Sequence, residues 1–176
     1  MVVPILETPR LILRAPAIAD FDAAFAIRNE DVVTRYINGQ KSTPEEVWNR
    51  LLRYVGHWAA LGYGFWTIVE RETGAILGET GFADFHREMT PSFGDTPEMG
   101  WVLAGAAHGR GYATEAVCAA LAWADAHLKR DRVVCMINPQ NAPSIRVAEK
   151  AGFRETGRTA YHGEPVNLYE RPTSAA

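Results

Sequence analysis

The part of this chain that most constrains its fold is a predicted strand, a glycine-rich turn and a long helix, which follow one another between positions 98 and 128. The strand covers residues 98–104, and the turn at 105–114 has glycines at 105, 109 and 111. Apolar residues then recur at helical spacing on one face of the predicted helix: Ala113, Ala116, Val117, Ala120, Leu121, Ala124 and Leu128. With the strands predicted elsewhere, this unit indicates a mixed α/β sheet.

The turn has the features of an anion site. The first N–H groups of a helix have no partner within the helix, and the helix dipole favours negative charge at that end. Glycine lets the backbone approach a phosphate closely, and Arg110 adds a cation suited to phosphate. A tight turn with glycine at strained positions explains the same composition, so both interpretations stay open here.

Two common phosphate motifs are absent. A P-loop needs Gly-Lys-Ser/Thr, which the chain lacks, and the dinucleotide fingerprint fails because Thr114 stands where a third glycine or alanine belongs. A third pattern, the coenzyme A loop Gln/Arg-x-x-Gly-x-Gly/Ala, is matched at Gly111, Tyr112 and Ala113. His108 stands where that loop usually has glutamine or arginine.

Length and composition predict one domain at residues 1–171, followed by a disordered tail at 172–176. The clearest helix start is Thr43-Pro44-Glu45-Glu46, which has a capping residue, a proline at the first helical position and a glutamate three residues after the cap. The two cysteines, Cys118 and Cys135, are too few for a disulfide framework and are expected in a reduced core.

Charge and hydropathy exclude several classes. A net charge of −3 argues against nucleic-acid binding, and no apolar run has the length of a membrane span or a secretory signal. The five histidines show no metal-ligand spacing, so no metal is expected. We therefore expect a cytoplasmic protein.

Five short motifs together resemble the GNAT N-acetyltransferase superfamily, and in particular its ribosomal-protein N-acetyltransferase (RimJ/RimL-like) branch. Each is weak alone, but their order and spacing span residues 7 to 170. They are Thr-Pro-Arg-Leu-Ile-Leu-Arg at 8–14, Glu-Met-Gly-Trp-Val-Leu at 98–103, Gly-Arg-Gly-Tyr-Ala-Thr-Glu-Ala at 109–116, Asn-Ala-Pro-Ser at 141–144 and Glu-Lys-Ala-Gly-Phe at 149–153.

The resemblance implies a mostly antiparallel seven-strand sheet with about four helices, in which two central strands splay into a V that holds acetyl-CoA as co-substrate. It also implies a set of cofactor contacts. Backbone at Trp101, Val102 and Leu103 would pair with the pantetheine, and Asn141 would contact that arm or fix its strand end. The loop would hold the pyrophosphate through His108, Gly109, Arg110, Gly111, Tyr112, Ala113 and Thr114.

Two side chains are candidates for proton transfer. Glu98 opens the strand that would line the cleft, where a carboxylate can accept a proton from an ammonium, directly or through water; the alternative is an exposed residue at a strand end. Glu79, Asp84 or water are rivals for the base, and with the chain's mild acidity the two carboxylates suit a cationic substrate. Many GNAT enzymes protonate the departing thiolate with a tyrosine, but Ala148 fills that position here.

Ser144 is the substitute acid expected in the RimJ/RimL-like branch. In that role its hydroxyl would contact the sulfur of the cofactor. As a strong N-cap residue, it has helix capping as its alternative role.

The sequence thus predicts an acetyl-CoA-dependent N-acetyltransferase acting on a primary amine by direct attack. A CoA-binding regulatory or interaction protein without turnover is the alternative. The acceptor is an amine-bearing small molecule or a peptide N-terminus, and neither nucleic acid nor membrane is an expected partner. Acyl-chain preference and the choice between monomer and homodimer stay open.

Overall fold

The computed structural model describes residues 2–37 and 39–173. Within them the chain forms eight strands and five α-helices, with 3₁₀ turns at Ile18–Asp20 and Gly105–Ala107. The strands are β1 (Leu6–Glu7), β2 (Leu11–Arg14), β3 (Phe65–Glu70), β4 (Ile76–Ala83), β5 (Glu98–Leu103), β6 (Arg132–Ile137), β7 (Arg154–Tyr161) and β8 (Glu164–Pro172). The helices are α1 (Phe21–Arg28), α2 (Asp31–Thr34), α3 (Pro44–Leu61), α4 (Tyr112–His127) and α5 (Ala142–Lys150).

All strands lie in one sheet in the order β1-β2-β3-β4-β5-β6-β8-β7. Every neighbouring pair is antiparallel except β5 and β6, which confirms the predicted mixed, mostly antiparallel α/β fold. There is one strand more than the expected seven, because Leu6 and Glu7 pair with β2 as an additional edge strand. The one-turn helix α2 likewise makes five helices rather than four.

The parallel strands β5 and β6 meet at one end only. Their ladder consists of the single pair Glu98 and Val134, supported by a 3.1 Å bond from the Val134 N–H to the Pro97 carbonyl. The outer sides of the two strands, in contrast, are paired over six residues each, with β4 and with β8. The described strands therefore diverge toward Leu103 and Ile137, and this divergence is the predicted V.

Helix α4 packs its apolar face on one side of the sheet. Ala116, Val117, Ala120 and Leu121 are buried there, as the helical spacing predicts. On the other side α1 and α3 pack, and the Tyr54 ring stacks on Phe65 with centroids 4.2 Å apart.

Helix α3 begins where its sequence predicts. The Thr43 side chain accepts from the Glu46 N–H at 3.2 Å, and a Glu46 carboxylate oxygen accepts from the Thr43 N–H at 2.7 Å. Gly62, in the left-handed conformation with φ 76°, ends the helix. The predicted capping box is confirmed.

Two peripheral features differ from what the sequence predicts. Strand β8 includes Pro172, and the Thr173 N–H donates to the Asp131 carbonyl at 3.0 Å, so the first two residues of the predicted disordered tail are ordered. Residues 174–176 lie outside the described part. Cys135 is buried as expected, but Cys118 is exposed because it lies off the apolar face of α4. No helix among the described residues has the length and hydropathy needed to cross a membrane.

Candidate active site

The glycine loop leads into α4 without a side-chain cap. Gly109 and Gly111 adopt φ values of 73° and 80°, and Gly111 is the residue before the first helical turn. The first bond of the helix joins the Glu115 N–H to the Gly111 carbonyl at 3.1 Å. The N–H groups of the three residues between, Tyr112 to Thr114, precede that bond, and no side chain in the described part of the chain caps them.

A residue far away in sequence holds this loop in place. Arg10 donates from Nη1 to the Arg110 carbonyl at 2.8 Å and from Nε to a Glu115 carboxylate oxygen at 2.7 Å. Thr8 donates to the other Glu115 oxygen at 2.6 Å. Because Glu115 is bound from the β1–β2 side, its charge is neutralised locally, and the pKa of its carboxyl is lowered despite partial burial.

The two large side chains of the loop take different roles. The Tyr112 ring is buried beneath the guanidinium groups of Arg10 and Arg110, at 4.4 and 4.7 Å from its centroid, and its hydroxyl donates to Glu70. Tyr112 can therefore offer a ligand only its backbone. The Arg110 side chain is half exposed, with Nη2 3.7 Å from a Glu70 oxygen, so a cation stands at the open end of the loop.

His108 and Glu30 fix the start of the loop. A His108 ring nitrogen lies 2.9 Å from the Leu103 carbonyl, and a Glu30 oxygen accepts from the Gly105 N–H at 2.7 Å. The predicted cofactor ligand His108 is thus bonded to the end of β5.

Strand β5 presents one free hydrogen-bonding edge toward the V. On the other edge Trp101, Val102 and Leu103 pair with Thr80, Glu79 and Gly78 of β4. Among the described residues its ladder with β6 stops at Glu98, so backbone groups of the later β5 residues face the gap. An extended ligand can pair with such an edge as an added strand.

Glu98 is buried at the closed end of the V, which overturns the alternative of an exposed strand-end glutamate. Its side chain is 8% exposed, and both carboxylate oxygens accept from Arg87, at 2.6 Å from Nε and 2.7 Å from Nη2. Burial raises the pKa of the Glu98 carboxyl, and Arg87 offsets part of that rise. A base at this position would have to accept a proton while its carboxylate is ion-paired with Arg87.

The two rival carboxylates have partners of their own. Oε1 of Glu79 accepts from the Tyr54 hydroxyl at 2.9 Å and is in contact with the buried Arg28. Asp84 accepts from the His86 N–H at 3.1 Å, and the His86 ring is 3.2 Å from its other oxygen.

Helix α5 is capped by Asn141, whose side chain accepts from the Ser144 N–H at 3.2 Å. The alternative of Ser144 as the N-cap is therefore wrong, because the helix starts at Ala142 and Ser144 lies within its first turn. The half-buried Ser144 hydroxyl takes no part in that cap. Ala148, at the usual tyrosine position, is fully buried.

Residues 10–154 match the model of the acetyltransferase (GNAT) domain family. The chain belongs to the GNAT acetyltransferase family. It is accordingly an acetyl-CoA-dependent acetyltransferase.

Similar proteins agree with this assignment. A solved GnaT-family acetyltransferase from Bordetella pertussis is 36% identical, with a TM-score of 0.85 over 96% of this chain and 99% of the other. The uncharacterized N-acetyltransferase YnaD of Bacillus subtilis is 27% identical over 86% of this chain and 84% of its own length. RimL, a ribosomal L7/L12 α-N-protein acetyltransferase solved with coenzyme A, covers 98% of this chain at TM-score 0.80. At 19% identity it shows the GNAT fold alone.

Two features of this GNAT site were missed by sequence reasoning. The motif at 8–14 contains Arg10, but nothing in it indicates a contact with the loop. Arg87 lies in the irregular segment between β4 and β5, and no local pattern pairs it with Glu98.

Proposed function

We propose that this chain is an N-acetyltransferase that moves the acetyl group of acetyl-CoA to a primary amine by direct attack. The observation that carries the proposal is the uncapped N-terminus of α4 beside the diverging strands β5 and β6. Backbone N–H groups at a helix start suit a pyrophosphate, and an open strand edge suits an extended pantetheine.

In this proposal the pyrophosphate rests on backbone of residues 109–114, with Arg110 supplying a cation and His108 holding the loop rather than the ligand. The pantetheine pairs with β5 at Trp101, Val102 and Leu103. Asn141, which caps α5, contacts the pantetheine arm or fixes its strand end. Backbone donors at the closed end of the V would polarise the thioester carbonyl.

Glu98 and Ser144 divide the proton transfers. Glu98 accepts the amine proton, directly or through water, because burial keeps its pKa raised despite Arg87. The Ser144 hydroxyl donates one hydrogen bond to the sulfur as charge develops there, since the cap of α5 does not use it. A thiol pKa near 8.5 makes the thiolate a moderate leaving group that needs only such modest help.

In this proposal the acceptor is a peptide N-terminus or a small-molecule amine. The chain acts in the cytoplasm as one domain at residues 1–171. It is a monomer or a homodimer and uses no metal. The RimJ/RimL-like branch is part of the proposal on the strength of the motifs at 8–14 and 98–116, and of the fold shared with RimL.

The test measures the release of coenzyme A from acetyl-CoA with a reagent that detects free thiols, in the presence of each member of a panel of amines and peptides. We expect amine-dependent release and an N-acetylated product by mass spectrometry. Acetyl-CoA binding with no release for any amine would contradict the proposal and favour a regulatory protein.

Glu98→Gln and Arg87→Gln together test the base. A positioned base contributes about 10² to 10⁴ in rate. We expect Glu98→Gln to lower kcat to that extent and to remove the acidic limb of the pH–rate profile, with acetyl-CoA affinity unchanged. Arg87→Gln keeps the carboxylate and should keep that limb, shifted to higher pH. Equal losses of rate and melting temperature in both variants would leave the pair with a structural role only.

A further inference from the structure

An open cavity of about 300 Å³ lies between the end of α1, the loop before α3 and α3 itself, on the sheet face opposite α4. Four of its lining side chains are cationic, namely Arg28, Lys41, Arg50 and Arg53, and one is a carboxylate, Glu46. Glu46 is already occupied, since it accepts from the Thr43 N–H in the cap of α3. Of the four cations, Arg28 pairs with Glu79 and Lys41 with Asp31, so the excess positive charge of the cavity comes from Arg50 and Arg53, in a chain whose net charge is −3.

Two of the arginines hold donors that no described residue satisfies. The Nε atoms of Arg28 and Arg50 are buried and have no hydrogen-bond acceptor in the described part of the chain. A buried donor without a partner is costly, and more so on a charged group. An acceptor supplied by a ligand would remove that cost.

The cations also lie close to one another. Much of Arg53 is exposed, but partial desolvation and the charges of Arg50 and Arg87 lower the pKa of its guanidinium. Arg53 and Arg87 both lie on the Phe85 ring, at 5.1 and 4.4 Å from its centroid. An anion between like charges of this kind is bound more strongly than by one surface cation, because it relieves their repulsion.

One residue of the cavity wall also reaches the part of the sheet next to β5. Arg28 contacts Tyr54 and Glu79, and Glu79 pairs with Val102 of β5. The Tyr54 ring stacks on Phe65, whose edge lies 3.0 Å from where a Cβ on Gly100 of β5 would be. The cavity is thus coupled to β5 through packed side chains on the face opposite α4.

We propose that this cavity binds the acceptor, and that the acceptor is a small primary amine carrying a carboxylate or a similar anionic group. This inference depends on the proposed function, because it names the substrate class of the same reaction. The size of the cavity fits a small molecule. Guanidinium groups bind carboxylates through paired charge-assisted hydrogen bonds, so the arginines would orient the acid end and direct the amine to the thioester.

The test compares matched acceptors. L-methionine and L-phenylalanine are each offered as the free acid, the α-amide and the decarboxylated amine, at saturating acetyl-CoA, and coenzyme A release is followed. We expect kcat/KM for the acids to exceed that for their amides by at least about tenfold, the usual effect of one charge-assisted bond. The decarboxylated amines should be the poorest acceptors.

Variants identify the cavity as the source of that preference. Arg50→Gln and Arg53→Gln should raise KM for the acids about tenfold or more while leaving kcat/KM for the amides unchanged, and Arg50→Lys should recover part of the loss. Arg132→Gln, an exposed arginine at the start of β6, is the control and should keep the preference. Equal loss for acids and amides in the cavity variants would overturn the proposal.

A second readout separates this inference from the proposed function. In the presence of coenzyme A, the acids should raise the melting temperature of the unmodified chain but not of Arg50→Gln. Such stabilisation without turnover of any acceptor would support the anion-binding cavity and contradict the proposed function. Turnover of amides, amines or peptides in preference to the acids would overturn the cavity proposal and leave the proposed acetyltransferase function standing. Absence of both selective stabilisation and turnover would overturn the cavity proposal and the proposed function together.

Discussion

The helices α3 and α4 begin in opposite ways. At α3 the chain satisfies its own donors: the Thr43 side chain accepts from Glu46, and Glu46 accepts in return. At α4 the preceding residue is Gly111, which has no side chain to offer, and the first turn carries no side-chain cap.

The charges around the two starts differ in the same sense. Two glutamates lie in the first turn of α3, where they complement the helix dipole. Glu115, the acid in the first turn of α4, is held aside by Arg10 and Thr8, while Arg110 stands at the opening. One helix start is completed by the chain itself, and the other is arranged to receive an anion from outside.

The largest change in the difference between the two helix starts is expected from a branched side chain at Gly111. Gly111→Val places a Cβ about 3.4 Å from Arg10 in a left-handed conformation, and adds bulk where the pyrophosphate approaches. Losing the contacts of a charged ligand should weaken acetyl-CoA binding about 100-fold or more in calorimetry. Gly74→Val is the control, because Gly74 has a similar φ of 74° in a turn with open space around it. Equal affinities in the two folded variants would refute the loop assignment.

A third helix start supplies the next prediction, because α5 is capped by Asn141 and leaves the Ser144 hydroxyl free of that role. Ser144→Ala should slow single-turnover acetyl transfer about tenfold at an unchanged melting temperature. Asn141→Ala is the matched variant and should cost about 1 kcal/mol of stability. A Ser144→Ala chain with full transfer rate would remove Ser144 from the chemistry.

Removing the cation at the opening of α4 sharpens the comparison further. Arg110→Gln should weaken acetyl-CoA binding roughly 3- to 10-fold, less than a buried pair would, because the side chain is half exposed. The slope of affinity against salt should fall as well. Arg71→Gln, on the same edge of the sheet and bonded to Thr8, should change neither quantity; matching losses would mean a general field effect.

The smallest effect on binding is expected at the self-capped helix. Thr43→Ala should lower the free energy of unfolding by about 1 kcal/mol, because the Glu46 N–H loses its acceptor. Acetyl-CoA affinity should stay at the unmodified value. A changed affinity would show that the two helix starts are coupled.

The features that could be predicted from sequence are those set by residues close together in the chain. The capping box of α3 and the apolar face of α4 each follow from a few neighbouring residues, and both are confirmed. Asn141 and Ser144 are both good caps for α5, and three-dimensional context selects Asn141.

What could not be predicted depends on distant pairs. Arg10 reaches Glu115 across 105 positions, and the pairing of Arg87 with Glu98 depends on the path of an irregular segment. The cationic side chains of the cavity come from α1, α3 and the loop before α3, so no single window of sequence shows them together.

The most direct test of the central claim compares acetyl-CoA with S-acetylpantetheine, which lacks the pyrophosphate and nucleotide, by calorimetry on the unmodified chain and on Gly111→Val. The open start of α4 predicts that the unmodified chain binds acetyl-CoA at least about 100-fold more tightly than S-acetylpantetheine, and that Gly111→Val loses most of this difference while its weaker affinity for S-acetylpantetheine is kept. Equal affinity for the two ligands in the unmodified chain, or a difference that survives in Gly111→Val, would contradict it.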